Sequence, residues 1–176
     1  IGKRHDLSWT AYFQLGNNYG EYAPSNDYPD LSVVGALLST GNALGTATLV
    51  APNYIVTAAH VVKNDYYDNP DPSEWRFVLY YDFGDALSSQ IYQVESITVH
   101  PAWIARQTVS NTIGDGDELG VDLAIARLER SVSGVYPARL PSESDDPLGL
   151  RAVLSGYGTL VEGSNGSQDA SNERRA

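Results

Sequence analysis

The 176-residue sequence contains no cysteine and no methionine. Without cysteine there is no disulfide framework, no thiolate metal site and no thiol nucleophile. Without methionine, a chain that opens on Ile1 reads as a processed or excised piece, and some residues that its function needs are expected elsewhere. Basic residues are also scarce: 11 Lys and Arg stand against 22 Asp and Glu, a net charge of −11. No basic stripe breaks this balance, which excludes a phosphate backbone as partner, so no nucleic acid is expected. No apolar run approaches the roughly 18 residues that a membrane span needs, and no positively charged start leads into an apolar signal segment. A soluble chain with no membrane partner is expected.

What the sequence does contain is 42% apolar residues, enough to bury a core in one domain or two small ones. Sixteen glycines and nine prolines punctuate short segments rich in Val, Ile, Leu and Tyr, which is a β pattern. Candidate strands are 31–38, 46–50, 54–57, 76–81, 90–100, 123–128 and 152–157. Several are apolar on both faces, as a closed barrel or sandwich requires, whereas 90–99 alternates like a half-exposed strand. The one helical turn expected, near 58–63, is too short to organise a core. Acidic, Tyr-rich loops occupy 64–74 and 111–120, and from Glu162 the composition turns to Gly, Ser, Asn and Gln without an apolar anchor, so a mobile tail is expected.

Two residues stand out for their chemistry. His60 ends Tyr54-Ile-Val-Thr-Ala-Ala-His60, where a β-branched strand passes through two alanines that permit tight packing and a sharp turn. Asp122 opens the apolar strand Asp122-Leu-Ala-Ile-Ala-Arg-Leu128, and a carboxylate so placed must be paired, capped or functional. Histidine titrates near neutrality and serves as a general base, and a carboxylate beside it fixes its tautomer and stabilises the imidazolium. His60 and Asp122 therefore suggest the orienting half of a catalytic triad without its nucleophile.

The same residues resemble the trypsin-like (chymotrypsin-fold) serine proteases. Ala47-Thr-Leu-Val-Ala-Pro-Asn-Tyr-Ile-Val-Thr-Ala-Ala-His60 is similar to that family's strand, turn, strand and catalytic histidine. Val99-His100-Pro101-Ala-Trp103, the Asp122 strand, Arg139-Leu-Pro141 and Ser155-Gly-Tyr-Gly-Thr159 follow in family order. The resemblance implies an all-β fold, a chymotrypsin-like double β-barrel, of which this chain covers the first barrel and the opening strand of the second. The division it implies is an N-terminal extension over 1–30, the first barrel over 31–140, an inter-barrel linker and first strand over 141–161, and a flexible loop over 162–176 that ends at an expected cleavage point.

By the same resemblance, His60 is the general base and Asp122 its orienter. Thr57 would bring a supporting hydroxyl near the aspartate carboxylate, or simply pack, and Leu119 would line the substrate pocket beside the scissile bond. The positions of the family's cysteine pair hold Gly45 and Val61, and Thr46-Ala47 replace its Gly-Gly turn. The Gly-Asp-Ser-Gly-Gly element is not in the sequence, and Ser155, Ser164, Ser167 and Ser171 lie at strand and loop positions of the family, unsuited to be the nucleophile. A companion chain with the rest of the second barrel and the nucleophilic serine is therefore expected. Ile1 has the apolar character of an activated N-terminus, but Gly2 departs from the usual Ile-Val-Gly-Gly.

Other motifs carry less. Arg4-His5-Asp6 reads as a surface ion pair or strand anchor, His100 as a packing residue, and Asn165-Gly-Ser167 as a glycosylation acceptor in a eukaryotic secretory context. Asp115-Gly-Asp117 begins like a calcium loop, but Leu119 and Ala126 fall where ligands are needed. Asp65, Asp68 and Asp71 could gather calcium, though a solvated acidic loop is the simpler reading. No cofactor and no metal site is expected. The function implied is serine endopeptidase action on peptide or protein substrates, in a secreted or extracellular setting that includes the bacterial periplasm and cell surface. The alternative is a non-catalytic protease homologue acting as a protein-binding module.

Overall fold

The computed structural model of the chain describes residues 31–41, 44–63, 70–79, 90–107, 121–142, 155–161 and 168–175. Six strands, β1 (Val34–Ser39), β2 (Leu44–Ala51), β3 (Tyr54–Thr57), β4 (Trp75–Leu79), β5 (Gln90–Val99) and β6 (Ala124–Leu128), close into an antiparallel barrel in the order β1-β2-β3-β6-β5-β4. The seam is β1 on β4, with Ala36 opposite Val78. Closure leaves no strand of the barrel with an unpaired edge.

Period-two side-chain alternation builds the interior. Along β2, Gly45, Ala47 and Leu49 are buried while Thr46, Thr48 and Val50 are only partly so, and along β6, Ala124, Ala126 and Leu128 point inward while Ile125 and Arg127 stay exposed. Small residues alternate with large ones across the barrel: Ala47, Ala124 and Ala126 leave room for Leu49, Ile55, Phe77, Tyr92 and Leu128. At Gly35 the fit admits no side chain, because a Cβ there would lie 2.4 Å from the Phe77 ring and 2.8 Å from the Val78 carbonyl oxygen. A bulge between Val94 and Ser96 bends β5 where it pairs with β6.

Among the described residues, two short helices sit beside the barrel. The first, α1 (Ala59–Val62), is the turn expected after β3. The second, α2 (Pro101–Gln107), was not legible as a helix, although Pro101 at its first position suits a helix start. His100 caps it, accepting the Ala102 N–H on Nδ1 at 3.2 Å and taking the Trp103 N–H on its carbonyl at 3.0 Å, while Trp103 is buried at 2% exposure in the barrel core.

Beyond the barrel, β7 (Gly156–Val161) pairs antiparallel with β8 (Gln168–Arg175). The expected flexible loop over 162–176 thus contains a strand. Main-chain pairing needs no apolar face, which is why a stretch without large apolar residues concealed it. Tyr157 of β7 is buried against Ala36 and Val78 on the outside of the barrel. The expected extension over 1–30 lies outside the described residues.

Candidate active site

Barrel order brings the two chemical residues together. β3 runs toward His60, β6 begins just after Asp122, and the two strands are neighbours, with Thr57 opposite Ala124. Asp122 Oδ2 lies 2.6 Å from His60 Nδ1, and Asp122 Oδ1 accepts the His60 main-chain N–H at 2.9 Å. An ionised carboxylate can only accept, so Nδ1 carries the proton of the neutral ring and Nε2 keeps its lone pair. The Asp122 side chain is 13% exposed and that of His60 52% exposed. One partner is shielded, which strengthens the short charge-assisted bond, while the imidazole remains open to a reactant.

The segments around this pair are fitted to β2. Val61, directly after His60, fills the space beside Gly45: a Cβ on Gly45 would stand 2.4 Å from Val61 Cγ1. The positions that hold cysteines in the resembled family are here a glycine and a valine in contact. Thr57 is buried, and its hydroxyl donates to the Thr46 carbonyl at 2.8 Å. The single hydroxyl proton is thus directed across the β2–β3 ladder. Ala47 is buried in the barrel, and the Thr46 hydroxyl turns to the main chain of Tyr157, so neither side chain of the replaced Gly-Gly turn stands loose.

Leu119, Arg4, His5, Asp65, Asp68 and Asp115 lie outside the described residues. Asp71 is described, and its carboxylate caps a 3₁₀ turn (Pro72–Glu74), accepting from the Ser73 hydroxyl at 2.7 Å and the Ser73 amide at 2.9 Å. Those two bonds hold its pKa below the ordinary carboxylate value. Among the described residues no group of three or more His, Cys, Asp and Glu side chains could hold a metal ion, and no helix is long and apolar enough to cross a membrane.

What sequence reasoning missed is the part that Thr46 takes in this region. Its only sequence signal is a hydroxyl residue where the resembled family has glycine.

Comparison with known proteins agrees with an all-β barrel fold. The family model described as Trypsin matches residues 20–174. A curated protein, "Trypsin Tyr p 3.0101" of Tyrophagus putrescentiae, is 28% identical over 116 residues, which are 66% of this chain and 37% of that protein. The chain thus spans little more than a third of the curated relative it matches. With a family match over most of its length and the six-stranded barrel that carries it, the chain belongs to the trypsin family.

Proposed function

We propose that this chain supplies the general base and its orienting carboxylate to a serine endopeptidase. The observation that carries the reading is the two-point hold of Asp122 on His60, through Nδ1 at 2.6 Å and through the main-chain N–H at 2.9 Å. A carboxylate bound at both points fixes the ring in position and in tautomer, which is the arrangement a base needs before substrate arrives.

Each half of the chemistry takes two proton transfers. A serine Oγ attacks the peptide carbonyl carbon while His60 Nε2 takes the Oγ proton, and the imidazolium so formed is stabilised by Asp122. His60 then gives that proton to the leaving amine as the C–N bond breaks. Water completes the cycle by the same route, with His60 again as base, and releases the acid product. The serine and its oxyanion hole are needed from outside the 176 residues, and the reading assigns them to a companion segment that carries the rest of the second barrel. Leu119, five residues before β6 and three before Asp122, is assigned to the substrate pocket on the resemblance alone. Peptides or proteins are the substrates, and a secreted or extracellular setting suits such an enzyme.

A fluorophosphonate probe tests the reading, since it reacts with a serine only where a histidine base and an oxyanion hole are in place. The native protein should label on a serine outside these residues, with a peptide map recovering the segment that carries it. Absence of labelling, with the His60 and Asp122 geometry intact, would favour a non-catalytic binding module instead.

A further inference from the structure

We propose that Thr46 is a positioning residue that ties β7, the first strand beyond the barrel, to the segment that carries His60. The inference rests on the protease reading above and deepens it, because that reading needs the second barrel held in register with the imidazole. The Thr46 hydroxyl accepts the Tyr157 N–H at 2.8 Å and donates to the Tyr157 carbonyl at 3.1 Å. One side chain thereby satisfies both main-chain groups of a residue 111 positions away, as a neighbouring strand would.

The approach is close on both sides. Gly156 leaves space for it, since a Cβ there would lie 2.8 Å from Thr46 Oγ1. The main chain of the same short stretch of β2 serves the other direction. The Thr46 carbonyl accepts the Thr57 hydroxyl at 2.8 Å, three residues before His60, and Gly45 is packed by Val61, one residue after it. Two consecutive residues of β2 therefore touch β7 and both flanks of the histidine.

The apolar contact of Tyr157 with Ala36 and Val78 cannot do this alone. Burial of apolar surface is non-directional and tolerates a lateral slip of the strand, whereas a donor and an acceptor fixed on one oxygen do not. The hydroxyl sets register, and the apolar contact adds adhesion.

The test compares Thr46→Val, which keeps the shape and loses both bonds, with Thr46→Ser, which keeps the hydroxyl, in the full native protein. Amide hydrogen exchange in a peptide covering 156–158 should be about tenfold faster in the valine variant and unchanged in the serine variant. On a peptide substrate, kcat should fall by roughly 10- to 100-fold in the valine variant with KM held within about twofold, and serine should restore it. Unchanged exchange in Thr46→Val, equal impairment in both variants, or faster exchange with unaltered kcat would each overturn the proposal. A native protein that takes no fluorophosphonate would remove the protease reading, and the exchange comparison would still decide whether Thr46 ties β7 down.

Discussion

A Cβ placed on Gly45 stands 3.4 Å from the Cβ of Val61. Cystines usually need about 3.5–4.5 Å between these atoms, so the pair is within a small main-chain adjustment of disulfide geometry. The double variant Gly45→Cys with Val61→Cys should oxidise to a single bridge, closing a short loop that stabilises by about 3 kcal/mol in the chain-entropy account. Thiol titration before and after reduction, with denaturant unfolding, checks it. Two free thiols after mild oxidation would show that the contact is looser than described. The single change Gly45→Ala should cost about 1–3 kcal/mol, since its methyl would meet Val61 Cγ1 at 2.4 Å.

Asp122→Asn should abolish most activity while the barrel stands. Asp122 Oδ1 is already taken by the His60 main-chain N–H, so an asparagine that keeps this bond turns its NH₂ toward Nδ1. Nδ1 must then accept, the ring proton moves to Nε2, and the base is lost. In serine-protease triads this change lowers kcat by about 10⁴. Kinetics and thermal unfolding measured on the same sample separate the two effects. Ordinary turnover in the variant would refute the role given to Asp122.

Gly35→Ala tests the barrel seam. The phenylalanine ring can shift, but the Val78 carbonyl, 2.8 Å from the added methyl, belongs to the strand that β1 must pair with. A loss of about 1–3 kcal/mol is expected in urea unfolding. A loss below about 0.5 kcal/mol would mean that β1 and β4 separate more easily than the closed barrel implies.

Asp71 gives a pH dependence whose sign is fixed. Its pKa is lowered by the Ser73 hydroxyl first and the Ser73 amide second, so its folded value lies below the unfolded one. The stabilisation is complete above the ordinary carboxylate value and is lost as pH falls through the folded value. The Tm difference between the native protein and Asp71→Ala should therefore be largest near neutrality and shrink in acid. A difference that grows in acid would contradict the cap.

The barrel strands were legible because short apolar segments bounded by turn residues are a local property: β2, β3, β5 and β6 lie within a few residues of the segments so marked. His60 and Asp122 were legible for the same reason, each announced by the apolar strand beside it. The helix at Pro101 was not, since seven residues carry too little periodicity to separate a helix from a loop. β8 was hidden because its evidence is main-chain pairing with β7. The partner of the Thr57 hydroxyl depends on which carbonyl lies across the ladder, and the Thr46 tie joins residues 111 apart. Spacing along a chain contains neither.

The position of β6 between β3 and β5 has a consequence for the chain during its synthesis. The strand that leads to the histidine emerges first, yet its neighbour in the barrel arrives only after β4 and β5. Until residue 128 has left the ribosome and inserted between them, the imidazole has no carboxylate at its side and no fixed tautomer. Closure of the barrel and formation of the His60–Asp122 pair are therefore one event in the folding of the chain.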